Sequence, residues 1–211
     1  MEMNFTISPR RKKSKTLIYG IGVNDADYQV DLRSGGLRVR CPYFTTWSNM
    51  LKRCYNKKTL MKSSTYDNTN VCFEWLTFSN FKTWMETQNW EGRELDKDLL
   101  GDGKLYSPET CVFVDRLTNC FLLDCEKRRG QYKLGVDIYK PNGKFRARCS
   151  NPFTNTVEHL GYFFSEDEAH NQWKKRKKEL AIQLATLQED ARVADKLINL
   201  FKEEVLNGKY D

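Results

Sequence analysis

Between residues 130 and 178 the apolar residues change period, and no other feature restricts the fold as much. "KLGVDIYK", "GKFRARCS" and "VEHLGYF" are three short runs of alternating character separated by turn residues, the pattern of half-buried strands. "SEDEAHNQWKKRKKEL" follows as a helix, with Ser165 and, three positions on, Glu168 forming a capping box. Three antiparallel strands backed by one helix need only one apolar face. In the middle strand Phe145, Ala147 and Cys149 share one parity, and Lys144, Arg146 and Arg148 share the other. The exposed face is therefore expected to be basic.

The preceding region has a different texture. Residues 1–16 form a polar arm ending in "RRKKSK", with Arg10, Arg11, Lys12 and Lys13 available for phosphate or solvent. "YQVDL" and "LRVRC" flank "RSGG", a hairpin whose Gly35 and Gly36 suit a tight turn. In "TTWSNMLKRCYNKK", Thr45 or Thr46 is placed to cap a helix, and Trp47, Met50, Leu51 and Cys54 recur at helical spacing. "TFSNFKTWMETQNW" repeats the logic with Phe78, Phe81, Trp84 and Met85. These aromatics read as core.

Residues 93–126 read as strand, loop, strand and helix. Arg93 to Leu100 is the first strand, "GDGK" and "YSPET" are turns, "CVFV" is a buried strand, and Asp115 caps "DRLTNCFLL". In such a ββα unit, Asp96 and Asn119 are expected to face one another across a cleft. Beyond Leu180, the residues Leu180, Leu184, Leu187, Ala191, Ala194, Ile198, Phe201 and Val205 recur at steps of four and three, without Gly or Pro between Ser165 and Leu206. That stripe predicts either a long helix pairing as a homodimer through residues 180–205, or a tail folded back on its own protein.

Charge bears on the partner. The 211 residues carry 35 Lys plus Arg against 28 Asp plus Glu, a net charge of +7, which favours a polyanion. The seven cysteines are scattered without a C-x-x-C pair, which argues against a disulfide scaffold and a zinc knuckle and points to a reducing cytoplasm. No apolar run approaches the roughly 18 residues that span a bilayer, and no apolar stretch follows the amino-terminal basic residues. No membrane partner is expected.

"TTWSNMLKRCYN", "VCFEWLTFSNFKTWM" and "LDKDLLGDGKLYSPETCVFV" together resemble, in order and spacing, the phage HNH homing endonucleases over roughly residues 19–125. The resemblance implies a ββα-metal hydrolase that nicks or cuts double-stranded DNA with one Mg²⁺ or Mn²⁺. It implies that Asp96 and Asn119 hold the metal; with Lys97 at the histidine position and Asp98 as a substitute carboxylate, the candidate catalytic set is Asp96, Lys97, Asp98 and Asn119. The chain departs from the family pattern at two positions: Lys97 stands where the general-base histidine belongs, and Thr110 where its orienting asparagine belongs. Lysine, with an ordinary pKa of about 10.4, is a poor base. Lys97 is then expected to clamp phosphate, with Asp98 or Glu109 taking the proton or a metal-bound water ionising without a side-chain base.

The segment 130–178, with Gly135-Val136, Gly143-Lys144-Phe145 and Leu160-Gly161-Tyr162-Phe163, resembles the Apetala-type, ERF-like DNA-binding domain. That resemblance implies a sheet laid in the major groove, with Lys144, Arg146 and Arg148 on DNA. Asp137, Tyr139, Val157 and His159 occupy outward sites where the family often carries Arg or Trp.

The expected architecture is α+β: a basic arm (1–16), an HNH-like module (17–126), an Apetala-type sheet on one helix (130–178) and a helical heptad tail (179–211). Three functions compete: a phage-encoded DNA endonuclease in the host bacterial cytoplasm, a catalytically inactive DNA-binding derivative of one, and a phage protein that acts on a host protein.

Overall fold

Trp47, Met50, Leu51 and Cys54 form the buried stripe of the first long helix, α1 (Pro42–Tyr55), in the computed structural model of the chain. The structure describes residues 16–34, 36–61, 68–122 and 131–200. The chain divides into two compact units, residues 1–114 and 115–211, and is mixed α+β.

In the first unit, β1 (Asp31–Ser34) and β2 (Leu37–Arg40) make the expected antiparallel hairpin, with Gly36 at φ +80°. The start of α1 differs from expectation. Pro42 occupies its first turn, where the missing N–H costs nothing. Thr45 consequently lies inside the helix, its hydroxyl donating to the Cys41 carbonyl at 3.0 Å. The four-residue helix α2 (Lys57–Leu60) follows.

The helix α3 (Phe78–Glu86) lays Phe78, Phe81 and Met85 onto α1. Its first turn is capped from far away: Ser79 N–H donates to Asp25 Oδ1 at 2.9 Å. The core is rich in aromatic rings. Phe44 meets Trp47 and Phe78 at 5.5 and 5.3 Å between centroids, and the buried Trp47 indole donates to the Trp75 carbonyl at 2.7 Å. Ring contacts of this kind add to the burial of area that drives the collapse.

Four short strands complete the unit. β3 (Asn70–Val71) runs parallel to β5 (Leu105–Tyr106), and β4 (Glu94–Asp96) pairs antiparallel with β6 (Val112–Val114). The strand expected over Arg93–Leu100 is therefore only three residues long, because the chain turns immediately after Asp96.

The second unit begins with α4 (Arg116–Leu122), capped as expected by Asp115, whose Oδ1 accepts the Thr118 N–H at 2.7 Å. The antiparallel sheet has the order β7 (Val136–Tyr139), β8 (Lys144–Asn151), β9 (Thr156–Phe163). It packs on α5 (Glu166–Ala185), which opens with the expected capping box: Glu168 N–H donates to Ser165 Oγ at 3.2 Å and Ser165 N–H to Glu168 Oε2 at 3.3 Å. Ala147 and Cys149 of β8 and Ala169 and Trp173 of α5 are buried where the two elements pack. Trp173 lies so close to the sheet that a Cβ on Gly135 would fall 2.0 Å from its ring, and Gly135 also has φ +75°. Only glycine fits there.

The tail is not one continuous helix. α5 ends at Ala185, and a new helix, α6 (Ala191–Asn199), starts at Asp190, whose side chain accepts the Arg192 N–H. α6 folds back on α5. The break changes the phase of the stripe: Leu180, Leu184, Val193 and Leu197 are buried, while Leu187 and Ile198 are exposed. Of the described residues that suggested a dimer, Leu180 and Leu184 are thus buried within the chain, Ala194 is half-buried, and Ala191 is exposed together with Leu187 and Ile198. Phe201 and Val205 lie outside the described residues, as do the basic side chains Arg10, Arg11, Lys12 and Lys13. No helix among the described residues is long and apolar enough to cross a membrane.

At the far end of the sheet Arg176 of α5 grips Glu158 through Nε at 2.6 Å and Nη2 at 2.9 Å, and Asn151 donates to the same carboxylate at 2.7 Å. The Arg176 hydrogen bonds, then that of Asn151, hold the Glu158 carboxyl down to about 2. A depressed carboxylate stabilises the fold above its unfolded value, near 4.5, and that stabilisation is lost as pH falls toward the folded value. Glu158→Gln should therefore lower stability by about 1 kcal/mol near neutral pH. In thermal unfolding followed by circular dichroism, the gap from wild type should close between the two pKa values.

Candidate nucleic-acid interface

Two constellations were marked by the sequence, one around residues 95–119 and one on the sheet, and the structure treats them differently.

At the first, β4 ends on Asp96, and its Oδ1 accepts the N–H groups of Asp98 and Leu99 at 2.9 and 2.8 Å. The carboxylate thus closes the turn that stops the strand. Burial raises its pKa above the usual carboxylate range, against the lowering effect of those amides. Lys97 is only 3% exposed, and its ammonium donates to Asp98 Oδ1 at 2.6 Å and lies 5.7 Å from the centroid of the Tyr106 ring. Gly103, at φ +75°, lets the loop come close: a Cβ there would fall 2.4 Å from Asp98 Oδ1. The expected phosphate clamp is therefore an interior ammonium that organises the 96–104 loop.

Thr110, at the position of the orienting asparagine, has a local role as well. Its hydroxyl donates to the Leu105 carbonyl at 2.7 Å and accepts the Ser107 N–H at 3.1 Å. Glu109 is exposed, and a Ser107 hydrogen bond keeps its carboxyl below the ordinary range. Asn119 sits in α4, in the second unit, with its N–H on the Asp115 carbonyl. Asp96 and Asn119 thus belong to separate units.

The donors around Asp96 do not fit Mg²⁺ or Mn²⁺. Such an ion needs several oxygens in octahedral array. One Asp96 oxygen is committed to two backbone amides, and the neighbouring Asp98 already holds a cation, the Lys97 ammonium. Among the described residues no group of three or more His, Cys, Asp or Glu side chains could hold a metal.

The sheet presents a more coherent surface. Across one row lie Asp137 on β7, Arg146 on β8 and Tyr162 on β9. The next β8 residue on the same side, Arg148, pairs with His159, while Tyr139 pairs with Lys144. Arg146 donates to Asp137 through Nε at 2.8 Å and Nη2 at 3.0 Å, and Arg148 Nη2 donates to Asp137 Oδ2. The hydrogen bond from Arg146, chiefly, holds the Asp137 carboxyl below its ordinary range. The rings of Tyr139 and Tyr162 are 4.9 Å apart, and those of His159 and Tyr162 4.6 Å. Lys144 places its ammonium 4.2 Å from the centroid of the exposed Phe164 ring.

Tyr162 is the member of this face that alternation misplaces. With Val157 and His159 outward, a strict period of two turns Tyr162 inward. The β9 register instead skips Leu160, so that Arg148 faces His159 and Ala147 faces Gly161, whose φ is +129°. This bulge brings His159 and Tyr162 to the same side. The glycine within the strand was the available signal.

Compared with known proteins, the chain matches no family model, no curated protein and no solved structure.

If Lys97 organises its loop from the interior, Lys97→Ala should destabilise the first unit by about 1–3 kcal/mol, the cost of deleting a buried side chain and its hydrogen bond to the exposed Asp98. Urea unfolding followed by tryptophan fluorescence measures this, since Trp47, Trp75, Trp84 and Trp90 all lie in that unit.

Proposed function

We propose that the protein binds double-stranded DNA through the outer face of β7–β9 and does so without metal-dependent cleavage at Asp96. The observation that carries this reading is the grouping of Arg146, Arg148 and Lys144 with Tyr139, His159 and Tyr162 on one sheet face whose reverse side is sealed against α5. Guanidinium groups bond phosphates and base edges, and rings beside them cover sugar and base surfaces. The major groove is wide enough to admit a β-ribbon. The net charge of +7 adds a long-range attraction to the polyanion.

The resemblance to HNH enzymes supports DNA as the partner but supports catalysis less, because Lys97 and Asp98 satisfy each other and Asp96 closes its own turn. On this reading the first unit is a scaffold derived from a nuclease, and the working surface is in the second unit.

Fluorescence anisotropy with a short labelled duplex tests the proposal. Binding should weaken steeply with salt, as counterion release requires. Arg146→Ala combined with Arg148→Ala should weaken it roughly tenfold or more. Equal affinity of that double variant and wild type contradicts the reading. Supercoiled plasmid incubated with Mg²⁺ or Mn²⁺ should stay intact; nicking that disappears in Asp96→Ala would return Asp96 to catalysis.

A further inference from the structure

Arg146 is fixed on two sides. Its Nε and Nη2 donate to the two oxygens of Asp137 at 2.8 and 3.0 Å, and its guanidinium carbon lies 5.2 Å from the centroid of the Tyr139 ring. Arg148 reaches the same carboxylate through Nη2. The acidic side chain is thus shared by the half-buried Arg146 and the more exposed Arg148.

Two physical consequences follow. The first is geometric. A guanidinium bonded through its Nε and Nη2 edge keeps its far edge, Nη1 with the remaining Nη2 hydrogen, as a planar fork of parallel donors. Guanine O6 and N7 form a planar pair of acceptors that such a fork matches. The second is electrostatic. Asp137 offsets one of the two arginine charges and repels phosphates at short range, where screening is weak. An unclamped arginine pair gains most from the phosphate backbone, whereas a clamped pair loses part of that gain and keeps the fork.

We propose that Asp137 is a positioning residue that converts Arg146 and Arg148 from phosphate binders into readers of the guanine edge, so that this sheet discriminates among duplex sequences. The proposal rests on the reading that the sheet face binds DNA. Asp137 touches no ligand in this scheme; it acts through the two arginines.

The test uses the full chain and a pool of labelled duplexes with a randomised core. Wild type should enrich a motif containing guanine, and replacing those guanines with 7-deazaguanine, which lacks the N7 acceptor, should weaken binding roughly tenfold or more. Asp137→Asn should bind the unselected pool about threefold tighter or more, with a steeper salt dependence, and should enrich no guanine motif. Asp137→Glu keeps the charge but moves the carboxylate by one methylene; it should bind the pool as weakly as wild type while losing the preference. Circular dichroism establishes that each variant is folded, and the Glu variant carries the test if the Asn variant is not. Tolerance of 7-deazaguanine by wild type, or an unchanged motif and discrimination in a folded Asp137 variant, overturns the proposal. If Arg146→Ala with Arg148→Ala binds the unselected pool as tightly as wild type, the sheet is not the DNA surface and the underlying reading fails as well.

Discussion

Everything distinctive about the second unit depends on burying one face of a three-stranded sheet on α5. Ala147, Cys149, Ala169 and Trp173 leave almost no space between the layers, and Gly135 is required where Trp173 meets the sheet. Burying those residues forces their neighbours along each strand to the opposite side. Arg146 and Arg148 are outward because Ala147 and Cys149 are inward. The bulge at Leu160 and Gly161 then brings Tyr162 beside His159 while the half-buried Phe163 still pairs with Phe145. A polar, aromatic surface is thus the direct consequence of a packing decision on the other face.

The two units handle buried or partly buried charge in contrasting ways. In the first, Lys97 and Asp98 neutralise one another, and Asp96 is spent on backbone amides, so that the loop is held in shape with little charge left for chemistry. In the second, Asp137 is shared by two arginines and Glu158 is gripped by Arg176 on the opposite side of the sheet. The Glu158 pair ties strand to helix, and the Asp137 pair sets the posture of an exposed surface. Ion pairs of similar geometry therefore tie strand to helix on one face and hold neighbouring strands' side chains together on the other.

Local signals were legible in the sequence. The buried stripe of α1, the hairpin around Gly36, the three strands, the Ser165–Glu168 box and the Asp115 cap all arise from residues within a few positions of one another. What was not legible depends on distant partners or on one-residue phase changes. Asp25 caps a helix that begins more than fifty residues later, between Asp25 and Ser79. The break after Ala185 rotates the tail stripe, so that Val193 and Leu197 are buried in place of Ala194 and Ile198. The interior position of Lys97 follows from how its loop closes through Gly103, which no motif comparison weighs. Arg146 and Arg148 were found by parity alone, but their shared partner was not, because Asp137 lies on the neighbouring strand and only register brings it across from Arg146.

The most direct measurement is amide chemical-shift mapping of the full chain during titration with a short DNA duplex. The account predicts the largest changes at Asp137, Tyr139, Arg146, Arg148, His159 and Tyr162, with the buried side of the sheet and residues 94–114 little affected. Changes confined to residues 16–114, with the sheet residues unmoved, would contradict it.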